Sequence, residues 1–205
     1  MRLIVFGVTG GTGLAVAEQA AAAGHQVTAF ARNPDGIPPA LRARVTVSRG
    51  DVLDLAQVTA AVRDHDAVLS CLGTRPWRHV DIVSGGTRVI SAAMAAAGVK
   101  RLIVMSSQGV GDSKIGGIIG AVAKVAIGKS LRDKTTMETE LAPSALDWVV
   151  VRPGLLTNGP ARGTWRAADD GSLVGGKISR ADTAAFMLAQ LDADKWLRRR
   201  PVVVW

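Results

Sequence analysis

Short apolar runs alternate along the chain with longer, alanine-rich stretches. Leu3-Ile4-Val5-Phe6 is apolar at four successive positions and ends at Gly7, the pattern of a strand covered on both faces. The same reading predicts strands over 26–31, 45–48, 67–72, 102–106 and 148–151, and a short last one over 201–205. Between them, alanine-rich stretches predict helices over 14–23, 55–63, 80–97, 131–141 and 181–191, with Gly24 and Gly98 as stops. Strands that alternate with helices of this length connect by right-handed crossovers. The expected fold is therefore α/β, a doubly wound parallel sheet with helices on both faces. It forms a single domain over 1–205, with no linker and no internal repeat. Ile37-Pro38-Pro39 reads as a plain loop.

The first strand runs into Gly7-Val8-Thr9-Gly10-Gly11-Thr12-Gly13, and a helix opens from it. Glycine at every third position suits a phosphate-binding bend. Gly7 permits a tight turn, Gly10 presents no side chain to a diphosphate, and Gly13 lets helix and strand pack closely. The helix start offers unpaired N–H donors and a positive dipole end, and Thr9 and Thr12 can add hydroxyl donors. No Gly-Lys-Ser/Thr follows, so this is not a P-loop. The spacing, between a strand and a helix, predicts that Gly7, Thr9, Gly10, Gly11, Thr12 and Gly13 bind a dinucleotide.

The end of the second strand reads Phe30-Ala31-Arg32-Asn33. A site for NAD(H) places a carboxylate there to accept from the ribose 2′-OH. Arg32 stands there instead, and its planar fork suits a 2′-phosphate, so NADP(H) is expected over NAD(H). Asp35 falls later, in a proline-containing loop, and is set aside. Asp51 and the Val52 backbone are expected at the adenine end. Leu72, Gly73, Thr74 and Arg75 should face the same crevice, because ligands bind at the carboxyl ends of such strands.

Charge and composition narrow the picture. Lys and Arg total 25 against 17 Asp and Glu, a net +8 that favours anionic partners such as a phosphorylated cofactor. No helix-turn-helix, zinc-finger or RNA-recognition pattern accompanies the charge, so nucleic acid is not expected as a partner. The run Arg198-Arg199-Arg200 reads as charge complementing a helix C-terminus. Cys71 is the single cysteine, which excludes an internal disulfide and a cysteine-cluster metal site, and the three histidines lack ligand spacing. No metal is therefore expected. No apolar run reaches the ~18–20 residues of a membrane span. The start is too short for a secretory signal, which predicts a cytoplasmic protein, monomeric or a small homo-oligomer.

Together these signatures resemble the atypical short-chain dehydrogenase/reductases, in particular the group typified by biliverdin reductase B (flavin reductase) and NmrA-like proteins. The resemblance rests on the glycine bend, Ala31-Arg32-Asn33, Gly50-Asp51-Val52, Leu72-Gly73-Thr74-Arg75, Ser106-Ser107, Val151-Arg152-Pro153-Gly154 and Ile178-Ser179-Arg180-Ala181-Asp182. They run in family order as far as Asp182. The resemblance implies a Rossmann-like NAD(P)-binding domain, an NADP-type cofactor, and a substrate lid from the C-terminal part, with 107–130 and 155–180 as the substrate-side loops. It implies Ser107 near the nicotinamide and Pro153, Gly154 and Leu155 along its carboxamide end.

One departure stands out. Typical members of the superfamily pass a proton through a Tyr-x-x-x-Lys pair, and this chain has no tyrosine. Lys134, with Glu138 four residues on, matches the family's Lys-x-x-x-Glu helix and is expected to hold the ribose. Ser130 stands where the tyrosine would. An alkanol is a far weaker acid than a phenol of pKa ~10, so Ser130 is a poor replacement. Asp133 is a nearby acid with no motif behind it. The acceptor should then be one whose reduced form takes its proton from solvent: a flavin, a quinone or a tetrapyrrole-like conjugated system. The expected activity is NADPH-dependent hydride transfer to such a small molecule. A non-catalytic NADP(H)-sensing protein is the alternative that the missing tyrosine favours, and an epimerase or dehydratase-like activity is a further one on the same scaffold. The apolar segment 115–127 reads as a flexible cover over the nicotinamide, as a buried helix, or as an amphipathic membrane contact. Trp77 is placed to stack on a planar substrate or simply to pack. Trp148 and Trp196 read as core, Arg152 as an ion-pair partner, and Cys71 as a small buried hydrophobe.

Overall fold

The computed structural model of the chain describes residues 1–73, 81–116 and 127–205. Ten strands and six α-helices are defined among them. The strands are β1 (Arg2–Phe6), β2 (Gln26–Ala31), β3 (Thr46–Arg49), β4 (Ala67–Ser70), β5 (Arg101–Met105), β6 (Asp147–Pro153), β7 (Leu155–Thr157), β8 (Arg166–Ala168), β9 (Lys177–Ser179) and β10 (Val202–Val204). The helices are α1 (Gly11–Ala22), α2 (Pro39–Arg42), α3 (Leu55–Val62), α4 (Ile82–Ala97), α5 (Gly128–Leu141) and α6 (Arg180–Leu188).

Eight strands form one sheet in the order β3-β2-β1-β4-β5-β6-β10-β8, parallel throughout except for the β10–β8 edge. The order reverses between β1 and β4, where a doubly wound sheet opens a crevice at the carboxyl ends of its strands. Alternate residues of β1 serve opposite layers. Leu3 and Val5 pack with Val16, Ala17 and Ala20 of α1 and with Ala184 and Met187 of α6. Ile4 and Phe6 pack with Val58 and Val62 of α3, Ile90 and Met94 of α4, and Met137 and Leu141 of α5. Both faces are thus buried, which is why the central strands read as unbroken apolar runs.

Several local expectations change. Residues 37–39 are not a plain loop: Pro39 starts α2, whose arginine Arg42 donates to the carbonyls of Ile37 and Pro34. The arginine run 198–200 does not end a helix, since α6 stops at Leu188. It lies in the connection into β10, with Arg198 at φ 56°. There Arg199 pairs with Asp169 at 3.1 Å and Arg200 with Glu138 at 3.4 Å. Strands β7, β8 and β9, each three residues long, carry no periodic signal of their own. Trp148 and Trp196 are buried, and so is Cys71, whose thiol burial pushes up to about 12.

Candidate functional site

Strand register gathers the predicted residues along one edge of the sheet. Phe6 pairs with Phe30 on one side and Ser70 on the other, Ser70 with Val104, and Val104 with Val150. The segments leaving those ends are therefore side by side: the glycine bend, Arg32, Cys71-Leu72-Gly73, Ser106-Ser107 and Pro153-Gly154-Leu155.

The glycine bend is dictated by space. Gly7 has φ +75°, and a Cβ there would run into the Cys71 carbonyl oxygen and lie 2.6 Å from its carbon. A Cβ on Gly13 would strike the carbonyl oxygen of Gly7 and come within 2.9 Å of Val8 Cα. The turn closes through Gly10 N–H donating to Gly7 O at 3.0 Å. Helix α1 then starts with glycine as its N-cap, no side-chain cap and no acidic residue in its first turn. The N–H groups of Gly11, Thr12 and Gly13 have no partner among the described residues. Thr12 is buried. An uncapped helix start opened by glycines fits a bound diphosphate.

Arg32 leaves the end of β2 with its side chain 56% exposed and its guanidinium 3.9 Å from Asp51, a loose pair. Asp51 is oriented by accepting from Leu53 N–H at 3.0 Å, while its own N–H donates to Gln57 Oε1 at 2.9 Å. Val52 and Leu72 face the apolar layer against α4, where a Cβ on Gly86 would meet both. Among the described residues nothing lies within 4 Å of the Cβ position of Gly73. Asp35 is turned away toward Arg42. Thr74, Arg75 and Trp77 lie outside the described residues, as does most of the segment 115–127.

Past β5 the side chains are engaged with one another. Ser106 Oγ donates to Glu138 Oε1 at 2.6 Å. Arg152 donates to both oxygens of the same carboxylate, Nε at 3.1 Å and Nη2 at 2.6 Å, and through Nη1 to Asp112 at 2.6 Å. Glu138 and Arg152 are both buried, so Arg152 is the ion-pair partner its sequence context suggests. Lys134 Nζ donates to the Ser106 carbonyl at 3.2 Å. Burial pushes the Lys134 ammonium down to about 8, against the opposing pull of Asp133 and Glu138. Ser107 Oγ is buried and has no hydrogen-bond partner among the described residues. Ser130 sits in the first turn of α5, four residues before Lys134.

Asp133 is not an available acid. Its two oxygens accept from Val83 and Ser84 N–H at 3.0 and 2.9 Å, capping the start of α4. Beyond it, Pro153 O accepts from Gln108 N–H, and Gly154 is required because a Cβ would come within 2.7 Å of Gly176 O. Leu155 is 71% exposed, and Val174 and Ile127 are further exposed apolar residues within 107–130 and 155–180. Residue Arg180, given no role by the sequence, reaches the glycine bend: a Cβ on Gly11 would lie 2.8 Å from its Cδ. The only sequence signal for it was its place in Ile178-Ser179-Arg180-Ala181-Asp182. Among the described residues no group of three or more His, Cys, Asp or Glu is arranged to hold a metal, and no helix is long and apolar enough to cross a membrane.

Comparison with known proteins agrees with this geometry. A family of NAD(P)H-binding proteins matches residues 7–194. An uncharacterized chloroplastic protein of Arabidopsis thaliana is 27% identical over 92% of this chain and 72% of its own. The uncharacterized sugar epimerase YhfK of Bacillus subtilis is 32% identical over 66% of this chain and 61% of its own. Among solved structures, the anaerobilin reductase ChuY of Escherichia coli O157:H7 superposes with a TM-score of 0.86 at 28% identity, covering 100% of this chain and 97% of that one. The bend between β1 and α1, the reversal of strand order beside it and a match across nearly the whole chain lead to one conclusion: the chain belongs to the NAD(P)H-binding family, on a Rossmann-like fold.

Proposed function

We propose that the protein is an NADPH-dependent oxidoreductase that passes hydride to a small conjugated acceptor: a flavin, a quinone or a bilin-like tetrapyrrole. The observation that carries this reading is the lack of tyrosine in a site whose other acids are engaged. Asp133 caps a helix, Glu138 is held by Ser106 and Arg152, and Ser130 is a weak alkanol. A bound nicotinamide supplies the hydride; the protein's work is to bind and orient. In this reading the amides of Gly11, Thr12 and Gly13 hold the diphosphate, and Thr9 and Thr12 flank it. Arg32 takes the 2′-phosphate, and Asp51, Val52, Leu72 and Gly73 border the adenosine. Thr74 and Arg75 follow directly on that border in the sequence. Protonated Lys134 holds the nicotinamide ribose, the free hydroxyl of Ser107 faces the ring, and Pro153, Gly154 and Leu155 border the carboxamide. The substrate-side loops, 107–130 and 155–180, cover the acceptor. Exposed Leu155 and Val174 suit a flat, apolar face. The likeness to an anaerobilin reductase supports the bilin-like end of this acceptor class.

The test is NADPH oxidation, followed at 340 nm, against a panel of flavins, quinones, bilins and a simple aliphatic ketone. Turnover confined to the conjugated acceptors is the expected result. Fast reduction of the ketone with none of the others overturns the proposal. Tight NADPH binding with no turnover of any acceptor points instead to an NADP(H)-sensing protein, the second reading that the missing tyrosine supports.

A further inference from the structure

We propose that Arg180 forms a second wall of the dinucleotide site, closing on the diphosphate from the side opposite the amides of α1. The inference rests on the cofactor reading above and goes beyond it. Gly7 and Gly13 are explained by the turn itself, but Gly11 is not: its φ is not positive, and the three nearest atoms that a Cβ there would meet outside its own helix backbone are all side chain. What it would meet is the Arg180 side chain, with Cδ at 2.8 Å, Nε at 3.0 Å and Cζ at 3.9 Å. Glycine at this position makes room for the arginine to lie across the first residue of α1.

The arginine is held there by its own element. It is the first residue of α6, whose N-cap Ser179 is buried and accepts from Asp182 N–H at 2.9 Å. Gln19 of α1 donates to Ala181 O at 2.9 Å, tying the two helices at this end. Arg180 Nη1 donates to Asn158 Oδ1 at 2.6 Å, a neutral acceptor. Nε and Nη2 have no partner, and no carboxylate pairs with Arg180, among the described residues.

An unneutralised guanidinium set against the positive end of an uncapped helix is unfavourable on its own, since the like partial charges repel. An anion between them reverses the sign of both interactions. A diphosphate has the charge for it, and the guanidinium fork matches phosphate oxygens.

The test compares wild type with Arg180→Ala, Arg180→Gln and Arg180→Lys, measuring by calorimetry the binding of NADPH, of NADH, and of adenosine 2′-monophosphate, which has no diphosphate. Loss of charge-assisted hydrogen bonds of this kind corresponds to ~10–100-fold in affinity. Arg180→Ala and Arg180→Gln should weaken both dinucleotides by that factor, with adenosine 2′-monophosphate and the melting temperature unchanged. Arg180→Lys, which keeps charge without the fork, should fall between. NADPH binding by Arg180→Gln within twofold of wild type overturns the assignment. So does an equal loss of adenosine 2′-monophosphate, which would mean that the change acts through the fold. If the wild type itself binds neither dinucleotide, the underlying cofactor reading fails, an outcome distinct from a variant that binds as well as wild type.

Discussion

The two halves of the crevice are built on opposite plans. Around β1, β2 and β3 the polar groups are loosely held. Three amides at the start of α1 lack partners among the described residues, and Arg32 and Asp51 are half exposed and 3.9 Å apart. Around β5 and β6 they are occupied. One buried carboxylate, Glu138, accepts from Ser106 and Arg152 and sits 3.4 Å from Arg200. The open half is suited to charges that arrive with a ligand. The closed half fixes the backbone after β5, with Lys134 Nζ donating to the Ser106 carbonyl, and leaves the Ser107 hydroxyl without a partner among the described residues. Loss of a side chain should therefore affect binding in the first half and stability in the second.

That contrast can be broken most directly at Glu138. Glu138→Ala leaves Arg152 buried with only Asp112 to face, and breaking a buried pair from one side costs about 3–5 kcal/mol. Urea denaturation should show a loss of that size. A loss below about 1 kcal/mol would mean the closed half does not depend on the pair. Arg32→Ala should do the reverse. Stability should hold within about 0.5 kcal/mol, as for most surface changes, while NADPH affinity falls by ~10–100-fold and NADH affinity does not. Equal losses for the two cofactors would remove Arg32 from the 2′-phosphate.

A smaller effect is expected from pH. The Lys134 ammonium is pushed down to about 8 in the folded state from its ordinary 10.5, so above pH 8 the unfolded chain binds more protons than the folded one. Stability therefore carries a penalty at and below pH 8 that is relieved as pH rises toward 10.5. Lys134→Met should flatten that rise in denaturation midpoints between pH 7.5 and 10. In the same range, if Lys134 takes the proposed ribose-holding role, NADPH binding by the wild type should weaken as the ammonium is lost. Binding that strengthens with pH would contradict that role.

Much of this architecture was legible in the chain. The apolar runs located β1, β2, β4, β5 and β6 because strands buried on both faces are apolar at nearly every position. The glycine bend was legible for a related reason: Gly7 and Gly13 answer steric demands that only glycine meets, so the sequence carries them openly. Other features were not. Strands β7, β8 and β9 are too short for any period, and their partners lie far along the chain. Asp133 looked like an acid near the chemistry because sequence shows charge but not the α4 amides, some fifty positions away, that engage it.

By itself, then, the sequence determined the α/β alternation, the glycine bend and the residue at the end of β2, because each depends on neighbours within one βαβ unit. Only the tertiary structure decided which polar groups are free and which are engaged. Arg180 reaches Gly11 across nearly the whole chain, Glu138 receives Arg152 and Arg200 from later segments, and Ser107 is left without a partner among the described residues. Hydrogen bonding and charge pairing are settled by proximity in space, and proximity between distant segments exists only once the sheet has formed.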